Sequence, residues 1–293
     1  MTSFLNSVNV ERAGLLAAKG LAGAGIGSVA AVFRSTFYVQ AGAGCYCVGT
    51  AALEPSGLTL VTAAPAATDW ASSGVRRGMK VRIRESAFEV GPILSFRFPD
   101  AAAWSPEPLP ARWKRNDLMR GLQIVRDDCV NGAPHDGLGR FIQPGFEPAH
   151  DDSVCRHAKE PLAAARQCLV EALRADTAED ADWSWAYGLT GLGPGLTPSG
   201  DDFIGAVMIA LNALNRRDLS DRLWDQLHPG AGKATNPISL AYLNAASQGY
   251  GAAALHDALA ALVTGDEGAI RRAAVRLDRI GHTSGWDAMA GAI

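Results

Sequence analysis

Charge is scarce in this chain. Only 19% of its 293 residues are Asp, Glu, Lys or Arg, and 27 basic against 30 acidic residues leave a net charge of −3. A protein that tracks nucleic-acid phosphates carries a basic excess on one face, so nucleic acid is excluded as a partner. Cysteine is scarce as well. The five (Cys45, Cys47, Cys129, Cys155, Cys168) are odd in number and form no Cys-x-x-Cys pair, which excludes a disulfide framework and a thiolate zinc site. Cys45 and Cys47, two apart on an expected strand, read as small apolar residues on one side of it. Long hydrophobic runs are missing: the longest, Gly20 to Phe33, is glycine-rich, bounded by Lys19 and Arg34, and shorter than the roughly 18 residues of a membrane span. No cationic leader precedes a clean apolar run near the N-terminus, so a cytoplasmic protein away from membranes is expected. There is no His-Glu-x-x-His, Gly-x-Ser-x-Gly or EF-hand pattern, and neither a cofactor nor a metal is assigned.

What is present is enough apolar content, 48%, for a sizeable core. From Val32 to Phe98 the pattern is short β-type runs (Val32 to Val39, Cys45 to Thr50, Leu58 to Ala63, Met79 to Ile83, Ile93 to Phe98) with turn signals between them. This stretch predicts a small antiparallel barrel or sandwich. Pro106, Pro108 and Pro110 can continue neither a ladder nor a helix, and the domain boundary is placed there, giving domains 1–110 and 111–293. Beyond it the period becomes 3.6: helices are expected through Leu118 to Cys129, through Leu162 to Leu173, and at Asp202 to Asn215, Leu219 to Leu227, Pro237 to Ser247, Ala252 to Val263 and Glu267 to Arg279. The fold class is therefore α+β, a β-rich N-terminal domain followed by a mostly α-helical one. The helix from Asp202 is apolar almost all round, which predicts a central, buried position. Asn131 to Asp152, rich in glycine, proline and histidine, is long and polar for a connection and reads as a lid or partner-binding loop.

Chemistry concentrates at two places. Gly191 to Asp202 (Gly-Leu-Gly-Pro-Gly-Leu-Thr-Pro-Ser-Gly-Asp-Asp) runs directly into the most apolar helix. A glycine-rich loop at a helix N-terminus offers free N–H donors and the positive end of the helix dipole, which is what an anion needs. It is not a Walker loop, since Asp201 stands where the lysine belongs, nor a dinucleotide fingerprint, since Pro198 stands at the third glycine. Gly281-His282-Thr283-Ser284-Gly285-Trp286-Asp287 repeats the idea: Ser199-Gly200-Asp201-Asp202 and Ser284-Gly285-Trp286-Asp287 are both Ser-Gly-x-Asp, each opening an apolar helix. One reading is a composite site; the other is two helix caps, with Ser199 capping and Asp202 closing a capping-box-like pair. Asp201, Asp202 and Asp287 also leave a carboxylate metal site open. Pro229 to Asn236 looks like a phosphate loop but lacks its first glycine and its hydroxyl; Thr235 or Asn236 is expected to cap the next helix, with Pro237 at its first position.

The Gly191–Asp202 motif, Thr235 with Ser239 ahead of an Ala-rich helix ending at Gly249, and Gly281 to Asp287 closely resemble the AllH-type family of oxamate carbamoyltransferase subunits, over roughly residues 30 to 293. The resemblance implies a subunit of a multi-component enzyme of purine-ureide nitrogen metabolism. That enzyme interconverts oxamate plus carbamoyl phosphate with oxalurate plus phosphate. The expected partners are then a small anion (carbamoyl phosphate, phosphate or a carboxylate) and other subunits. His282, Asp202 and Asp287 are the candidate catalytic residues, with His282 as a proton shuttle. Gly193, Gly195, Thr197, Ser199, Gly200, Asp201, Thr235, Ser239, Ser284 and Gly285 are the candidate anion-binding residues, and Arg34, Arg97, Arg140 and Lys233 the candidates for neutralising the phosphate. A non-catalytic partner subunit and an amide or ureide hydrolase are the alternatives.

Overall fold

The computed structural model describes residues 6–98, 102–174 and 181–293. They fall into two compact units, Met1–Ser105 and Pro106–Ile293.

The first unit contains β1 (Asn6–Gly14), α1 (Leu15–Ala22), β2 (Ile26–Val32), β3 (Thr36–Ala41), β4 (Gly44–Gly49), β5 (Thr59–Thr62), β6 (Lys80–Arg84), β7 (Ala87–Val90), β8 (Leu94–Arg97) and β9 (Ala102–Trp104). The strand order β5-β4-β3-β2-β6-β7-β8-β1 returns to its start through a β1–β5 pairing, so eight strands close a barrel, and β9 lies on the far end of β1. Closure leaves those eight strands with no free edge. Of barrel or sandwich, the fold is the barrel. Its sense is mixed rather than antiparallel, because β1 runs parallel to β8 and β9, and β4 parallel to β5. Alternation fixes which side chains point in: β6 buries Val81 and Ile83 between exposed Lys80, Arg82 and Arg84. The core is aromatic, with Phe88 stacked on Phe96 at 4.6 Å and Phe37 edge-on to Trp70 at 5.4 Å. Both cysteines of β4 are buried, but so are Tyr46 and Val48 on its other face. The stretch expected as one strand from Val32 to Val39 is divided by a turn in which the Phe33 N–H meets the Thr36 carbonyl.

The second unit is helical: α2 (Arg115–Ile124), a π-turn over Val125–Cys129, short 3₁₀ turns over Val130–Gly132 and Gly139–Ile142, then α3 (Ser153–Arg174), α4 (Trp185–Leu189), α5 (Ser199–Ala213), α6 (Arg217–Ala234), α7 (Pro237–Ser247), α8 (Ala253–Thr264), α9 (Glu267–Leu277) and α10 (Ser284–Ala292). As its composition predicts, α5 is the hub, buried from Ser199 nearly without interruption to Leu211. Ile204, Val207, Met208 and Leu211 each contribute about 1.5–3 kcal/mol by leaving water. α10 lies against it so closely that a Cβ on Gly291 would stand 2.2 Å from the Phe203 carbonyl. Pro229 to Ala234, which the sequence leaves as a loop, forms the last turns of α6. Among the described residues no helix is long and apolar enough to cross a membrane.

The Asn131–Asp152 segment, expected as a lid or partner-binding loop, does not stand free of the helices. Its middle is pinned: Gly137, Leu138 and Gly139 are buried, and the Cys155 thiol of α3 donates to the Gly137 carbonyl at 2.8 Å.

Candidate functional site

α4 ends at Leu189, and the chain turns through Gly191, Gly193 and Gly195, all with positive φ (73°, 112° and 102°), before entering α5 at Ser199. A side chain at any of the three would be strained there, so the glycines trace the path of the loop. Asp201 holds that path in place. Its Oδ1 accepts the Gly191 N–H at 2.7 Å, and its Oδ2 accepts the hydroxyls of Ser239, at 2.6 Å, and Thr235. Thr235 and Ser239 flank Asn236, whose side chain caps α7 by accepting from Ile238 and Ser239, with Pro237 at its first turn. Three of the candidate anion-binding residues are thus engaged with one another, joining the loop to α7. No side chain caps α5: its cap position is Pro198, whose carbonyl receives the N–H groups of Asp201 and Asp202. Ser199 and Asp202 are therefore not spent on capping, and neither are their counterparts in α10, where Thr283 holds the cap position without a side-chain capping bond.

The second Ser-Gly-x-Asp loop is built like the first. A Cβ on Gly200 would stand 1.8 Å from the Leu189 carbonyl, and one on Gly285 would stand 1.9 Å from the Leu277 carbonyl, so only glycine lets each helix start against the helix before it. Gly200 N–H donates to Leu192 and Gly285 N–H to Ile280; each donor stands one residue after its serine. The two loops then cross. Thr197 Oγ1 lies 3.2 Å from Ser284 Oγ, and Ser199 Oγ lies 3.4 Å from Thr283 Oγ1. The hydroxyls of Ser284 and Thr197 bear on the Asp202 carboxyl, while those of Thr283 and Ser199 bear on Asp287. Each half therefore hands its serine to the carboxyl of the other.

Both carboxyls are shielded from water and incompletely paired. Asp287 is fully buried, its Oδ1 receiving the Leu138 N–H at 2.5 Å, while Asp202 is half-buried; the Oδ2 atoms of both are out of solvent contact and without a hydrogen-bond partner. Burial pushes Asp202 well above the ordinary carboxyl range, and the neighbouring charge of Asp287 pushes it further. Burial also raises Asp287, against the pull of the Leu138 N–H and the Thr283 and Ser199 hydroxyls. Two helix N-termini, each worth about half a positive charge, face this pair.

The other candidates stand apart. His282 is exposed, its Nε2 3.1 Å from Asp136 Oδ1 across an equally exposed pair. Lys233 sits in the last turn of α6, at the end of a helix that favours cations over anions. Arg140 lies on the same loop as Leu138; its Nε is buried without a partner and one of its terminal nitrogens is 3.4 Å from His135. Arg34 and Arg97 belong to the barrel unit. Among the described residues no three His, Cys, Asp or Glu side chains gather as metal ligands, and Asp201 is turned to the hydroxyls of Thr235 and Ser239 rather than toward Asp202 and Asp287. Sequence reasoning missed the contribution of the Gly137–Leu138 backbone, for which an Asp-Gly turn at Asp136-Gly137 is the available signal.

The class so defined is an α+β protein whose helical unit joins two glycine-fronted helix N-termini over a pair of buried carboxyls. Residues 189–293, which span every one of these elements from the end of α4 to α10, match the family model described as oxamate carbamoyltransferase subunit AllH. That stretch of the chain is related to a carbamoyltransferase subunit. No solved structure matches the chain.

Proposed function

We propose that the chain is a working subunit of a carbamoyltransferase. It would bind small anionic carboxylate or ureide substrates, with carbamoyl phosphate plus oxamate giving oxalurate plus phosphate, at the junction of α5 and α10. The observation that supports this most directly is the crossing of the two Ser-Gly-x-Asp loops, Thr197 to Ser284 at 3.2 Å and Ser199 to Thr283 at 3.4 Å. A small two-ended ligand at that junction meets two helix dipoles and hydroxyls from both loops. Such donors are suited to the oxyanion of the tetrahedral intermediate through which carbamoyl transfer passes. The ionised form of a buried carboxyl would repel an anion, whereas a carboxyl held protonated donates to it; burial pushes Asp202 and Asp287 in the second direction. Arg140 is the cation of choice for the phosphate, since its buried Nε is unpartnered and its loop touches Asp287 through Leu138. The subunit designation of the matched family implies further chains in the working enzyme.

Titration calorimetry of the purified chain with carbamoyl phosphate, phosphate, oxamate and oxalurate tests the reading. At least one of the four is expected to bind, and to bind more weakly in Arg140→Gln. No binding by any of them up to millimolar concentration assigns the site's chemistry to another subunit. Ammonia release without phosphate would instead indicate hydrolysis.

A further inference from the structure

We propose that Asp202 and Asp287 form one proton-sharing acid pair, and that the crossed hydroxyls of Thr197, Ser284, Ser199 and Thr283 connect it to whatever binds at the mouth of the two loops. The inference rests on the transferase reading for its chemical use, and on geometry for its existence. An ionised carboxylate with an Oδ2 that meets neither donor nor water is costly unless a proton or a cation compensates it. Here the same deficit occurs twice at one place, because the Oδ2 atoms of both Asp202 and Asp287 are sealed and unpartnered. Two helix N-termini supply together about one positive charge, and two ionised carboxyls carry two negative charges, so a single retained proton balances the site. The charged and titratable groups around the pair do not supply that balance otherwise. Asp201 stands on the same turn of α5 as Asp202, Asp136 faces Asp287 from the 131–152 loop, and Cys155 of α3 stands near Asp287 as a thiol that burial keeps protonated.

The hydroxyls make the proton usable. A hydroxyl accepts and donates at once, and those of Thr197, Thr283 and Ser284 sit on half-buried residues and bear on the two carboxyls. In carbamoyl transfer the substrate nitrogen attacks the carbamoyl carbon, the N–C bond forms and the bond from carbon to phosphate oxygen breaks. The proton leaving the nitrogen passes to the ionised member of the pair, and the protonated member returns one to the departing phosphate. The pair ends with the one proton it began with. His282, exposed on Asp136, is not required for that circuit.

Infrared and carbon-13 NMR spectra of the intact chain, with aspartate labelled at its carboxyl carbon, read the pair without any activity. A protonated aspartate near pH 7 is expected in the wild type, absent from both Asp202→Asn and Asp287→Asn, and retained in His282→Gln. It should shift on addition of inorganic phosphate, and Thr197→Val should abolish that shift while leaving the carboxyl signal. A wild-type spectrum with every aspartate ionised near pH 7 overturns the proposal, and needs no variant to fold. A phosphate-induced shift that survives in Thr197→Val overturns the hydroxyl connection. If the protonated carboxyl is found but the assembled enzyme releases no phosphate from carbamoyl phosphate and oxamate, the transferase reading fails while the acid pair stands.

Discussion

Asp201 and Asp202 are adjacent in the first turn of α5 and separable by substitution. Asp201 accepts three donors: the Gly191 N–H and the hydroxyls of Thr235 and Ser239. An amide in its place keeps one acceptor oxygen and turns an NH2 against donors, leaving buried groups unpaired at about 1–3 kcal/mol each. Asp201→Asn is therefore expected to lose on the order of 2–4 kcal/mol in urea unfolding, with Thr235→Val and Ser239→Ala each losing part of the same total. Asp202 has a sealed Oδ2 with no partner and caps nothing. Asp202→Asn should match the wild type in unfolding midpoint near pH 7 or exceed it, and should lose turnover in the assembled enzyme, or ligand binding in the chain alone. Full activity in Asp202→Asn would reduce the site to the backbone of the glycine loop.

At the scale of elements, the closeness of helix starts decides. Gly200 and Gly285 let α5 and α10 begin within contact of the Leu189 and Leu277 carbonyls. A methyl group there meets backbone oxygen rather than a movable side chain, so Gly285→Ala must push α10 away from α9. It is expected to cost about 3 kcal/mol or more by overpacking, and to weaken calorimetric phosphate binding, because the Thr197–Ser284 crossing is displaced. Gly195→Ala, in an exposed stretch where the new Cβ has nearest contact at 3.9 Å, should cost only the strain of its positive φ. These are the elements that hydrophobic period and motif order made legible: α7 over Pro237–Ser247, the buried α5, and the two Ser-Gly-x-Asp helix starts. β1 was illegible because Asn6, Ser7, Asn9, Glu11 and Arg12 face outward and a bulge between Val10 and Arg12 breaks the period that would reveal it. β2 lay hidden because Gly20 to Phe33 reads as one weak run, whereas α1 fills its start and β2 its end. The third wall of the site, Gly137 and Leu138, comes from a segment with no period at all, and its role is set by backbone contacts with Asp287 that no side-chain pattern records.

For the molecule as a whole, buried titratable groups make stability depend on pH in two opposite directions. His256 on α8 is half-buried, accepts the Gly251 N–H on Nε2 at 3.1 Å, and is lowered from 6.5 to about 4 by loss of solvent, with the nearby Asp257 opposing. Below pH 6.5 the unfolded chain binds a proton there that the folded chain refuses. Stability from this residue is thus complete above that value and is lost as pH falls toward 4, by about 3 kcal/mol over the interval at about 1.4 kcal/mol per unit. Asp202 and Asp287 act the other way, since their carboxyls are raised in the folded state. Above the ordinary carboxyl range the unfolded chain gives up protons that the folded chain keeps, so their contribution is greatest in acid and declines as pH rises through the folded values. Thermal unfolding midpoints measured from pH 4 to 9 for the wild type, His256→Gln and Asp202→Asn separate the two. On the acid side His256→Gln should fall less steeply than the wild type, because glutamine keeps an acceptor for Gly251 and binds no proton. On the alkaline side Asp202→Asn should fall less steeply, because it has no proton to release. If Asp202→Asn instead ran parallel to the wild type across the whole range, its carboxyl would be titrating alike in the folded and unfolded chains, and burial at the joined N-termini of α5 and α10 would have no energetic consequence.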